Sequence, residues 1–247
     1  MQDKNQSPLP AGRGKGDAPR RIPLIDALRG LSVFLMVAYH FGINLILFAD
    51  APKGLIYNPF LNFLQPVFAG VFITLAGLSC RFSRKNLKRG VLLIFLGIGV
   101  TVVTFQVGFP VQFGILTFLG LGIVLYDLAS PLLRRIPWAW LAGVSFMLFA
   151  LTYVYFPRDT TLPMSSHVWV LGFRPEEFVS ADYFPLLPWI FLIFFGSAIA
   201  EPVLERRLPD WFYRVNPPVF PFLGRHTLLI YLAHQPILYG VFMVWPV

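Results

Sequence analysis

The sequence predicts an all-α fold, a polytopic membrane bundle of about seven transmembrane helices, and three observations predict it. Of 247 residues, 56% are hydrophobic and only 13% charged, too little polar surface to cover a soluble globule. Six stretches, 30–49, 54–80, 90–126, 136–157, 183–200 and 227–247, contain no Lys, Arg, Asp or Glu, and a helix of about 20 such residues crosses the hydrocarbon. The cations segregate: in a seven-span chain, residues 1–29, 81–89, 134–135 and 206–225 share one side, leaving Lys53, Arg158 and Arg174 for the other. Loop Lys and Arg resist translocation, so the N-terminus is expected in the cytoplasm and the C-terminus outside. The net charge of +8 is then a topology signal that also suits an anionic inner leaflet. No soluble basic domain with interleaved aromatics is present to carry nucleic acid.

Residues 1–21 are rich in Pro, Gly and charge and read as a disordered cytoplasmic tail ahead of a single membrane domain, 22–247. No short apolar core precedes Ile22, so no cleaved signal peptide is expected. The spans are expected at about 25–48, 58–80, 90–109, 111–130, 137–156, 183–200 and 224–245. The uncharged window 90–126 is too long for one crossing, and Pro110, just after Gly108, is the natural place for a hairpin. Cys80 is the only cysteine, which excludes an intramolecular disulfide framework, and no metal site is expected because the four histidines lack ligand spacing.

Polar groups inside a span are costly and usually face a protein interior or a water-filled cavity. Arg29 and His40 lie eleven residues apart, within about 20° of three full turns, and Asp26 falls on the same face. At about 1.5 Å per residue His40 stands roughly 16 Å above Arg29, near mid-membrane. His234 lies nine residues beyond Arg225, about 13 Å in, so histidines from two helices reach similar depth. Gln235 and Pro236 follow it, and Pro236 leaves the carbonyl of Leu232 without its helical donor. Read alone, His234 is as well explained as a hydrogen-bond donor between helices, and Arg29 as a cation reaching for headgroups beside Asp26. Thr101, Thr104 and Thr117 suit bonds to their own backbone.

The run RFSRKNLKRG carries five cations between Arg81 and Arg89. It fixes topology, and Arg84 and Lys85, with Arg225, are also candidates for a phosphate-bearing carrier. Beyond the fifth span, LGFRPEEFVSADYFPLLPW mixes aromatic, acidic and proline character, which suits a structured lid, with Glu176, Glu177 and Asp182 available to a cationic or hydroxyl-rich acceptor.

Five stretches, RIPLIDALRGLSVFLMVAYHFGINL, FAGVFITLAGLSCRFS, VQFGILTFLGLGIVLY, LGFRPEEFVSADYFPLLPWIFLIFFGSAIAEP and LGRHTLLIYLAHQPIL, together resemble the heparan-α-glucosaminide N-acetyltransferase-like family of bacterial membrane proteins. The resemblance spans about residues 21–241. The Arg29-to-His40 spacing is also similar to the pattern of the wider transmembrane acyltransferase superfamily. The resemblance implies an acyltransferase of the bacterial cytoplasmic (inner) membrane. Acetyl-CoA, as donor, would approach from the cytosol, and an amino or hydroxyl group of a sugar or glycan would accept the acetyl group from the other side. Carried over, His40 takes the first-helix catalytic position, as base or transient acyl carrier, and Arg29 that of the arginine below it; Asp26 and His234 join them as catalytic candidates on helix face and depth. Arg84, Lys85 and Arg225 would bind the donor, and Asp182 and Gln235 the acceptor. A homodimer is compatible with this reading. Thr117 stands where relatives usually carry histidine. Two other classes use the same residues differently: a proton-coupled transporter or flippase, against which the absence of an internal repeat weighs, and a catalytically decayed membrane scaffold.

Overall fold

The structure, a computed structural model, describes residues 21–156, 159 and 162–244. The expected tail therefore lies outside the described residues except for Arg21. Seven helices among them are long and apolar enough to cross a membrane: α1 (Pro23–Phe48), α2 (Pro59–Phe82), α3 (Asn86–Gln106), α4 (Ile115–Leu133), α5 (Trp138–Tyr155), α6 (Leu186–Leu204) and, after two short helices α7 (Asp210–Arg214) and α8 (Phe220–Arg225), α9 (Thr227–Val244). The helix starts follow local chemistry. Pro23 and Pro59 occupy first-turn positions, where a missing N–H costs nothing, and the Asn58 side chain caps α2 by accepting from the Leu61 amide at 2.9 Å.

Several boundaries differ from those the sequence predicts. α3 stops at Gln106 and α4 begins only at Ile115, because the hairpin needs more than Pro110: Gly108 turns at φ 81° and Phe113 at φ 56°. α6 starts at Leu186 rather than 183, since the backbone before it pairs with that hairpin, Phe184 N–H donating to Phe113 O at 3.0 Å. The last crossing is broken at His226, so Arg225 closes α8 and α9 begins at Thr227.

α2, α4 and α6 enclose the core, where Ile73, Phe118 and Ile193 are fully buried. Lipid removes the hydrophobic drive between helices, so their association rests on close packing and small residues. α2 and α6 cross where a methyl group on Gly77 would collide with the Ile193 carbonyl, and one on Gly196 with the Thr74 carbonyl. The crossing that builds the site is that of α1 with α8: Gly30 lies against the Phe220 carbonyl and Gly224 against that of Asp26. Outward, α3, α5 and α9 present large apolar side chains such as Phe95, Trp140 and Ile237, the surface a bilayer would cover.

Candidate active site

Two cavities meet near the middle of the bundle. The larger, about 630 Å³, lies at the end where α1 begins and is lined by Arg21, Asp26, Arg29, Ser79, Arg89 and Arg225 and, on its apolar wall, by Leu116, Leu119 and Ile123. Arg29 is held from two sides, one guanidinium nitrogen donating to Asp26 at 3.2 Å and another to Ser79 on α2 at 2.7 Å. Asp26 and Ser79 thus orient a half-buried cation toward the cavity, and the tight Gly224 contact brings Arg225 to the same place.

The run of cations divides as a helical register would divide it. Arg89, in the first turn of α3, lines the cavity together with Leu92 and Leu93, the three- and four-residue neighbours on its face. Arg81 pairs with Glu201 of α6 at 3.0 Å. Arg84 and Lys85, the expected donor-binding pair, are exposed and line neither cavity, because they precede the helix. Arg225, expected to open the last crossing, instead closes α8 and lines the larger cavity.

The second cavity, about 290 Å³, contains His40, Met36, Tyr39, Tyr57, Gln65 and, from the connection between α5 and α6, Asp182 and Tyr183. His234 comes across from α9, its Nε2 at 3.3 Å from His40 Nδ1. The partners assign the protons. His234 Nδ1 faces the Tyr231 carbonyl, which can only accept, so this nitrogen carries the hydrogen and Nε2 is left with its lone pair. His40 Nδ1 faces two acceptors, that Nε2 and the Met36 sulfur at 3.2 Å, so it also carries a hydrogen. With Nδ1 donating, an uncharged His40 ring keeps its lone pair on Nε2, on a residue that opens to the second cavity. A base oriented by a second group, itself fixed by a third, is the arrangement needed for proton transfer or for nucleophilic attack.

Gln235, expected at the acceptor, lines neither cavity and accepts instead from Asn44 at 3.4 Å, tying α9 to α1 one turn beyond the histidines. Asp182 does line the second cavity, with one oxygen engaged by the Ile115 amide and the Tyr231 hydroxyl, each at 3.1 Å. Burial pushes its carboxyl above the usual carboxylate range, and those two donors pull it back. Glu176 and Glu177 are exposed. Thr117 abuts Gly97 of α3 and lines neither cavity. The sequence reading missed Ser79, Arg89, Met36 and Tyr231. Helical spacing from His40 and His234 would have found the last two, whereas Ser79 has no local signal. Among the described residues no three His, Cys, Asp or Glu side chains gather closely enough to hold a metal ion.

Seven helices long and apolar enough to cross a membrane, with a histidine pair in contact beside a cavity, define a multi-pass helical membrane protein. Residues 21–236 match the family model described as Heparan-alpha-glucosaminide N-acetyltransferase, catalytic, and the chain belongs to that family of membrane acetyltransferases. Comparison with curated proteins and with solved structures gives no match.

Proposed function

We propose that the chain moves an acetyl group from cytosolic acetyl-CoA, bound in the arginine-lined cavity, to an amino or hydroxyl group of a sugar or glycan that enters the second cavity from the other side of the membrane. The observation that carries this reading is the relay in which His40 Nδ1 meets His234 Nε2 at 3.3 Å and His234 Nδ1 meets the Tyr231 carbonyl, on a His40 that opens to the second cavity. The bias of Lys and Arg toward the end where α1 begins supports a cytoplasmic N-terminus and an outer C-terminus, and the family supports acetyl-CoA as donor. Arg21, Arg29, Arg89 and Arg225 suit the phosphates of the carrier.

As the acceptor nitrogen or oxygen attacks the thioester carbonyl, His40 Nε2 takes its proton. The positive charge that results is shared through Nδ1–H with His234. Collapse of the tetrahedral intermediate breaks the carbon–sulfur bond, and the CoA thiolate leaves with the proton that His40 returns, giving the acetylated acceptor and free CoA. In the two-step variant Nε2 itself attacks and carries the acetyl group before passing it on. Localisation in a bacterial inner membrane and acceptance of a glycan belong to the same reading.

The test is purified protein in detergent, given labelled acetyl-CoA and a panel of amino sugars and glycans. Release of CoA that depends on acceptor is expected, and His40→Ala should lower kcat by about 10²–10⁴-fold while CoA binding persists. A folded preparation that releases no CoA yet carries solute across liposomes without it would replace this reading with the transporter.

A further inference from the structure

The two cavities share three lining residues, Phe72 of α2, Ile115 at the head of α4 and Tyr231 of α9. They are the wall between the arginine-lined compartment and the histidine-lined one. Two of the three hang on one atom: Asp182 Oδ2 accepts from the Ile115 amide and from the Tyr231 hydroxyl. Asp182 can come this close because residue 114 is glycine, since a methyl group there would stand 2.9 Å from that oxygen and 2.7 Å from the Val111 side chain.

Asp182 is itself fixed from the far side of the wall. The segments around 110–113 and 179–184 are stapled together. Ala181 N–H donates to Pro110 O at 2.9 Å and Phe184 N–H to Phe113 O at 3.0 Å. The Gln112 amide donates to Ser180 Oγ at 2.8 Å and its side chain to Val179 O at 2.9 Å. Phe113, held at φ 56°, sits in this staple in a conformation that only a well-determined surrounding sustains.

We infer that Phe72, Ile115 and Tyr231 set the length of acyl chain the protein transfers, and that Asp182, arriving from the acceptor side, is the positioning residue that fixes their aperture. The inference rests on the acyl-transfer reading, in which the acyl group must pass this wall to reach His40 while the carrier's phosphates stay among the arginines. A wall of one aromatic ring, one branched side chain and one anchored tyrosine suits the smallest acyl group, acetyl, and each added methylene must displace one of them. Selectivity among donors is thereby tied to a loop that arrives from the acceptor side and lines the His40 cavity rather than the arginine-lined one.

The experiment has two arms. In the first, turnover with acetyl-CoA, butanoyl-CoA and hexanoyl-CoA is compared for the unaltered chain, Phe72→Ala, Asp182→Ala and Tyr231→Phe. The ratio of hexanoyl to acetyl turnover should rise at least about tenfold in Phe72→Ala and rise less in Asp182→Ala and Tyr231→Phe. A ratio that stays put in all three, whatever happens to absolute rates, overturns the inference. The second arm needs no catalysis. Met36→Cys is placed in a Cys80→Ala background in sealed vesicles of either orientation and treated with a membrane-impermeant anionic (sulfonate-bearing) thiol reagent, which the arginine-lined cavity admits. It should react from the His40 side alone, and from both sides once Phe72→Ala is added. Any other pattern overturns the wall. If the second arm succeeds while no acyl-CoA of any length is consumed, the wall stands and the acyl-transfer reading fails.

Discussion

The two cavities use opposite means to hold a ligand. The larger is a field of charge: four arginines face it and a single aspartate answers them, so it selects for anions by Coulomb attraction and by planar, forked donation. The smaller holds a single carboxylate, with one oxygen already engaged by two donors, and otherwise offers tyrosines, a glutamine and an imidazole, so it suits selection by hydrogen-bond geometry. The contrast teaches a division of labour. On the proposed function, a highly charged carrier is recognised far from the chemistry, while the reacting centre stays nearly free of fixed charge. There, one lone pair at His40 Nε2 is worth more than it would be in water.

The strongest way to break this contrast is at the histidine pair. His234→Ala leaves His40 Nδ1–H with only the Met36 sulfur as acceptor, so the ring loses its orientation and the sink for its developing charge. We expect kcat to fall about 10²-fold, at the lower end of what positioned acid–base groups supply, with the KM for acetyl-CoA unchanged. Steady-state kinetics on the purified variant decides it: an unaltered kcat would mean that His40 works alone and that His234 merely joins two helices.

Next in size comes Arg29. Its guanidinium is held by Asp26 and Ser79 rather than left free to reach headgroups. Arg29→Gln removes a charge-assisted bond of about 1.5–3 kcal/mol, so the Kd for acetyl-CoA should rise roughly tenfold or more, while the KM for the acceptor stays fixed. A change that fell on the acceptor instead would show that the two cavities do not divide the ligands as their charge suggests.

How much of this the sequence discloses depends on whether a feature repeats along the chain. The crossings are legible because a membrane imposes a long uncharged window on each, and the depth of His40 and His234 is legible because a helix rises by a constant step. That the two rings meet is not, since the turn of α9 about its own axis is set by α8 and by the broken helix at His226. The engagement of Asp182 with the head of α4 is invisible for a different reason: it joins an irregular loop to a backbone amide, and neither partner belongs to any period. Gln235 illustrates the hazard in between, lying next to His234 in sequence yet turned by its helix toward Asn44 and away from the cavity.

The smallest expected effect is also a test of that lesson. Density of charge singles out Arg84 and Lys85, whereas helical register singles out Arg89, which shares its face of α3 with Leu92 and Leu93. Arg84 and Lys85 are exposed and line neither cavity, and their charge reaches the ligand only through solvent and salt. The double variant Arg84→Ala, Lys85→Ala should therefore change the Kd for acetyl-CoA by no more than about twofold, the scale of an ordinary surface substitution. Arg89→Ala should weaken it roughly tenfold. Isothermal titration in detergent at two salt concentrations separates the outcomes, because a long-range contribution fades with salt and a direct contact persists. If the double variant proved the more damaging of the two, the carrier would lie across the loop outside the arginine-lined cavity, and the division between a charged compartment and a neutral one would have to be redrawn.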